Sequence, residues 1–207
     1  MLLPLYEMTT FQQLDEIVLR NENPVILLEG TRDLPYRDRG KLIALGWHLA
    51  RRYPKAKFRT GNASGSDEAF ASGVGKVDSS RLEYILPYEG HRQDALVTGS
   101  RSVAIEKISA EAEDRAIQNT TKASPVYVSM MKRRNLVSKL RIKSRYIIRD
   151  TLKVIGDKET VLHPAVFGVF YVNRDDPMKG GTGHTIRVCQ DHSVPVVFQD
   201  DWMKWAV

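Results

Sequence analysis

At 207 residues and 23.5 kDa, with 42% hydrophobic and 27% charged residues, the chain can bury one sizeable core, which excludes intrinsic disorder and a fibrous repeat. Lys and Arg number 31 against 25 Asp and Glu, a net charge of +6. That balance favours anionic partners without choosing among nucleic acid, nucleotide and acidic protein. The single Cys189 rules out an internal disulfide framework and a multi-cysteine metal site, and is what a cytoplasmic setting permits.

The opening Met1-Leu-Leu-Pro-Leu-Tyr6 run is short, has no basic leader and runs into a Thr10-x-x-Gln13 capping box. It therefore reads as neither signal peptide nor membrane span, and a soluble protein with no membrane partner is expected. Phe11, Leu14, Ile17 and Val18 mark one face of a short helix. Pro24-Val-Ile-Leu-Leu-Glu-Gly30 follows as a buried strand, its apolar run continuous as a strand covered on both faces requires. From Asp38, a plausible cap, to Tyr53, Leu42, Leu45 and Leu49 form the apolar stripe of a second helix that Pro54 stops. Lys57–Thr60 and Leu82–Pro87 read as further strands, separated by a Gly/Ser turn and a short helix starting near Asp67. Residues 91–160 show no convincing strand and read as a helical, basic insert, with helix-prone stretches at Ser102–Thr120 and Ser129–Ile155. Ala165–Val172, a helix from about Thr185 to Asp191 and Val194–Phe198 complete the pattern. The expectation is a single α/β, Rossmann-like domain over 1–207, with a mostly parallel sheet of about five strands flanked by helices and the insert between strands three and four.

Three Gly- or hydroxyl-rich segments each follow a strand and precede a helix: Gly30-Thr31-Arg32, Gly61-Asn-Ala-Ser64-Gly65-Ser-Asp67, and Gly180-Gly181-Thr182-Gly183-His184-Thr185. In a parallel sheet all three gather at the carboxyl edge. There, backbone N–H groups and helix dipoles suit phosphate. Any one segment alone is also ordinary turn chemistry. Asp67 can accept from a ribose hydroxyl or simply belong to the first turn of a helix, and His184 can be a general base or a helix-terminal histidine with no such role.

These motifs resemble the SLOG superfamily of Rossmann-like nucleotide-binding proteins, related to DNA-processing protein A and to the Lonely Guy phosphoribohydrolases, and in particular its stand-alone bacteriophage-type members. Arg149-Asp-Thr-Leu-Lys-Val-Ile-Gly156 is similar to the motif that ends the insert in those relatives. The likeness spans roughly residues 24–200. Asn62 stands where the second glycine of the first pair is usual, and Asp150 where an Asn follows the Arg. The resemblance implies a nucleotide or nucleotide-derived signalling ligand held by Thr31, Arg32, the 61–67 turn, Arg149 and the 180–185 turn, in the host-cell cytoplasm if the chain is phage-encoded. Arg187 occupies the position of the phosphoribohydrolase glutamate and Lys179 that of its proline. N-ribosyl hydrolysis or transfer is thus a rival that needs another carboxylate, Glu29, Asp67, Asp175 and Asp176 being available.

Metal ligation has little support: the histidines at 48, 91, 163, 184 and 192 show no metal-binding spacing. A divalent cation accompanying a phosphate would fall to Asp175 and Asp176. Eight basic residues and no acid lie between Lys132 and Arg149, so the positive charge is local. That stretch reads as a soluble basic face, as a nucleic-acid surface using Lys132, Arg133 and Arg134, or as a source of Arg145 or Arg149 for a ligand phosphate. Leu136, Leu140 and Ile147–Ile148 are expected to face the core. Tyr84, Tyr88 and Tyr171 can stack on a base or finish the core. Met130–Met131 and Trp202/Trp205 can likewise serve the core or a homo-oligomer interface.

Overall fold

A computed structural model describes residues 10–205; the opening Met1–Tyr6 run lies outside them. Helix α1 (Phe11–Arg20) starts at the expected capping box, with Thr10 accepting from the Gln13 N–H and the Gln13 side chain accepting from the Thr10 N–H. Strand β1 (Val25–Gly30) is buried along its whole length. Helix α2 (Tyr36–Arg52) begins two residues before Asp38, with Pro35 as its cap. Asp38 lies in its first turn and accepts from Lys41 and the Tyr171 hydroxyl instead of capping. Strand β2 (Lys57–Thr60), helix α3 (Ser66–Asp78) and strand β3 (Leu82–Leu86) follow.

The 91–160 region is not purely helical. Arg101–Ala104 forms strand β4, an edge strand whose first residues are exposed, so it has no apolar run to betray it. Helices α4 (Ala110–Ala123), α5 (Val128–Arg133) and α6 (Ser138–Ile155) then lead to strand β5 (Phe167–Tyr171), helix α7 (Gly180–Asp191), strand β6 (Val196–Phe198) and the short helix α8 (Gln199–Trp202). The sheet thus has six strands, all parallel, in the order β4-β3-β2-β1-β5-β6. The fold is Rossmann-like. Among the described residues no helix is long and apolar enough to cross a membrane.

Strand alternation divides the core. Ile26, Leu28, Phe58, Tyr84 and Val169 face α1, α2 and α3, while Leu27, Phe170 and Ile85 face α4 to α7. On the first face α2 and α3 meet at glycine: a Cβ on Gly46 would lie 2.4 Å from the Phe70 carbonyl, and one on Gly73 2.1 Å from that of Ile43. Trp202 and Trp205 are buried in this core. Tyr84 is buried there too, and Met131 lies in the core beneath α6.

The second face is partly ionic. Arg59 on β2 is fully buried and ion-paired to Glu83 on β3 at 2.7 Å; it also donates to the Lys153 carbonyl of α6 at 2.8 Å. Arg101 on β4 approaches Glu83 at 3.6 Å. Arg59, Glu83 and Arg101 are direct register partners on adjacent strands, so charges of alternating sign run across the sheet. A buried pair of this kind stands only because each member neutralises and hydrogen-bonds the next.

Candidate functional site

At β1 and β5 the strand order reverses, so the connections leaving their carboxyl ends depart in opposite directions and open a crevice. A cleft of about 760 Å³ lies there. It takes Gly30, Thr31 and Arg32 from the end of β1 and the residues after it, Ser64 from the connection after β2, Asp67 from the first turn of α3, Gly180, Gly181 and Thr182 from the start of α7, and Arg149 from α6. The three segments singled out in the sequence therefore converge on one cavity, but they differ in what they can offer a ligand.

Most of the 61–67 segment is spent on the protein itself; only Ser64 stays exposed at the cleft, its hydroxyl without a partner among the described residues. One Asp67 oxygen accepts from the Gly30 N–H at 3.3 Å, the other from the Gly61 and Ala63 N–H groups at 3.2 and 3.1 Å. Ser66 donates its N–H and its hydroxyl to the Thr31 carbonyl. Asp67 thus ties the end of β1 to the end of β2, and its carboxylate is already satisfied. Gly61 gives its carbonyl to Arg149 at 2.8 Å and Gly65 caps α3, and neither lines the cleft.

The last segment behaves differently. Helix α7 starts at Gly180, five residues earlier than expected, so Gly180–Thr185 is helix and not a turn ahead of one. Its cap, Lys179, supplies no side-chain hydrogen bond, and the Gly183 N–H takes the Lys179 carbonyl. The N–H groups of Gly180, Gly181 and Thr182 have no acceptor among the described residues and lie at the cleft, at the positive end of a 12-residue helix. The Thr182 hydroxyl ties this helix to β1 by donating to the Gly30 carbonyl at 3.1 Å.

The same helix withdraws three expected ligand residues from the cleft. Gly183 is buried, and a Cβ there would strike the Met178 carbonyl at 1.9 Å. Thr185 is buried with its hydroxyl on the Gly181 carbonyl. His184 is fully buried between Ser124 and Thr151, 2.8 Å from each hydroxyl, and burial pushes its pKa down to about 4 against the pull of Asp150. It is a neutral strut between α4, α6 and α7, not a base facing solvent.

The floor of the cleft carries charges that the motifs do not announce. Lys153 reaches Glu29 at 2.6 Å and Asp150 at 2.8 Å, and Arg149 meets Asp150 at 2.9 Å. Burial opposes ionisation of Asp150, but Arg149 and Lys153 outweigh it and hold the carboxyl at about 2. Burial dominates at Glu29 and pushes its carboxyl up to about 7, with Lys153 pulling the other way. Lys143, Tyr146, Ile147, Asp150 and Lys153 line the cleft at helical spacing along one face of α6. That interruption of an apolar stripe by polar residues was the available signal. Asp150, which replaces an Asn of the resembled motif, is thus central to the network.

Asn62, at the position of the usual glycine, has a φ of 56°, the left-handed region that asparagine tolerates better than most residues. Its amide donates to the carbonyls of His91 and Arg92, both at 3.1 Å, and Arg92 returns a bond to the Asn62 carbonyl at 2.8 Å. The substitution therefore keeps the turn and adds a clamp on the loop after β3.

The remaining candidates fall elsewhere. Asp176 lines the cleft, whereas Asp175, Asp38 and Tyr171 line a neighbouring cavity of about 520 Å³; no group of metal-ligating side chains occurs among the described residues. Arg187 donates to the Met178 carbonyl. In the basic stretch Arg134 pairs with Glu113 and Arg145 with Glu106, so of the two arginines considered for the ligand only Arg149 turns to the cleft. Lys132, Arg133, Lys139, Arg141 and Lys143 are exposed and have no acidic partner among the described residues. Leu136 is 78% exposed and does not join the core, while Ile147 and Ile148 do. No family model, curated protein or solved structure matches the chain.

Proposed function

We propose that the cleft binds a nucleotide or nucleotide-derived ligand, as the SLOG-like motifs imply, with a phosphate seated on the N–H groups of Gly180, Gly181 and Thr182. The observation that carries this reading is that these open donors end a helix inside a cleft where the strand order reverses. Arg32 and Lys179 stand exposed on its rim and supply compensating charge. The lining holds six basic and five acidic side chains, so phosphate is drawn by the placement of charge and not by a large excess of it.

The test is a thermal-shift panel of nucleotides on wild type, Gly181→Asp and Lys179→Ala, followed by mass analysis of the recovered ligand. A Cβ on Gly181 would lie 2.5 Å from the Asp150 carboxylate, so aspartate there blocks the seat sterically and electrostatically. A nucleotide at a hundred times its Kd stabilises wild type by about 2.7 kcal/mol. The expected outcome is a shift that is lost in Gly181→Asp and reduced in Lys179→Ala. No shift of wild type with any nucleotide overturns the reading.

A catalytic variant, N-ribosyl hydrolysis, draws on one observation: two cleft carboxyls with opposed ionisation, Glu29 near 7 and Asp150 near 2. Such a pair can divide acid and charge-stabilising roles. Recovery of free base in the same assay favours it, and recovery of intact nucleotide favours binding alone. A nucleic-acid reading rests on the five unpaired basic residues of the α5–α6 region.

A further inference from the structure

Resting on the nucleotide reading, we infer that the cleft takes a nucleotide phosphodiester, with one negative charge at the seated phosphate, in preference to the doubly charged monoester, and that Asp150 sets this choice. Asp150 lines the cleft beside the open end of α7. Its Oδ1 takes Arg149 at 2.9 Å and Lys153 at 2.8 Å, whereas Oδ2 has no hydrogen-bond partner among the described residues and lies against Gly181. A Cβ on Gly181 would be 2.5 Å from Oδ2, and a Cβ sits about 2.5 Å from its own nitrogen, so the carboxylate is within about 5 Å of the Gly181 N–H. Against burial, Arg149 and Lys153 hold the Asp150 carboxyl at about 2, so its charge is permanent. It acts on a seated phosphate through space and needs no contact with it.

The charges around the seat leave little to hold a dianion. Among the buried side chains of the lining, the acids Glu29, Asp67 and Asp150 face only two bases, Arg149 and Lys153, and both bases are already engaged with carboxylates. Asp67 keeps its charge among backbone N–H groups. Of the other basic residues, Arg92 pairs with Glu68, while Arg32, Lys143 and Lys179 stand exposed, where water screens them, alongside the exposed acids Asp33 and Asp176. What remains is the end of a 12-residue helix, equivalent to about half a positive charge. That suits one negative charge. A second meets Asp150 in a partly enclosed site, where repulsion is stronger than in water.

Calorimetric titration of nucleoside monophosphates and of their methyl phosphodiesters into wild type, Asp150→Asn and Glu29→Gln at pH 8 tests the choice. At that pH a monoester carries two charges, its second ionisation falling at about 6, and its methyl ester carries one. Wild type is expected to bind the methyl ester about tenfold more tightly than the parent nucleotide. Asp150→Asn keeps an acceptor for Arg149 and Lys153, and it should bring the two ligands within about threefold by strengthening the monoester. Burial lifts the Glu29 carboxyl to about 7, so at pH 8 it too is ionised, and Glu29→Gln should narrow the gap by less. Monoester binding by wild type that equals or exceeds that of the methyl ester overturns the inference while the nucleotide reading stands. So does a gap that survives in Asp150→Asn, or in Glu29→Gln where Asp150→Asn does not fold. Failure of wild type to bind either form of any nucleotide overturns both.

Discussion

Glu29 sits inside an apolar run, so the sequence marks it as a strand residue with an awkward charge; in the structure Lys153 lies 2.6 Å away, but burial outweighs its pull. Its carboxyl ionises near 7 when folded and near 4.5 in its ordinary state. Between those values the native state holds the extra proton, so stability falls as pH rises, by about 3 kcal/mol in full. His184 works in the opposite direction. Its pKa is about 4 in the fold against an ordinary 6.5, so the unfolded chain holds the extra proton and stability falls as pH drops through that window, by about 3 kcal/mol. From pH 4.5 to 6.5 the two slopes oppose each other. Glu29→Gln removes one of them, and its melting temperature should climb with pH across that range where wild type is comparatively flat; parallel curves would refute the assignment. Asn62 shows what single residues conceal. Its departure from glycine was legible, but its clamp on the 91–92 carbonyls depends on a loop 29 residues on, which local pattern cannot reach.

Legibility at the scale of elements followed burial. β1, β3 and β5 were readable because continuous apolar runs are forced on strands covered by helices on both sides. β4 was not, because an edge strand with a polar opening gives no such run. The start of α7 was misplaced because Gly-Gly-Thr-Gly has poor helix propensity, and packing against Met178 and β1 overrides it. The ionic layer beneath α6 was invisible in the same way: Arg59, Glu83 and Lys153 are far apart in sequence and meaningful only together. Arg59→Leu alone should cost about 3 kcal/mol, because it leaves buried Glu83 with only the looser Arg101 contact at 3.6 Å. The double variant Arg59→Leu/Glu83→Leu should recover most of that loss in urea unfolding, and additive losses would show that the pair does not act as a unit.

For the molecule as a whole, the fold class was legible from the alternation of strands and helices, and the convergence of three Gly-rich segments followed from a parallel sheet. Which of them keeps free donors did not, since that depends on where Asp67 and Ser66 spend their hydrogen bonds. The charge distribution makes a further expectation. If the basic end binds nucleic acid, neutralising Lys132 and Arg133 should reduce the slope of log K against log salt by about 2, whereas Arg134→Ala, already paired with Glu113, should change it less. A slope unchanged by all three removes that surface from consideration. The strand order also fixes when the cleft can exist. Its central seam joins β1 to β5, pairing Ile26 with Phe167, and its open helix end follows still later in the chain. A growing polypeptide can form β1 to β4 and their helices as it emerges, yet the open N–H groups of Gly180, Gly181 and Thr182 join the cleft only once α7 has been synthesised and docked. On the proposed reading, ligand capture is therefore a competence the chain acquires late in synthesis, and a nascent chain halted before α7 should not draw on the ligand pool.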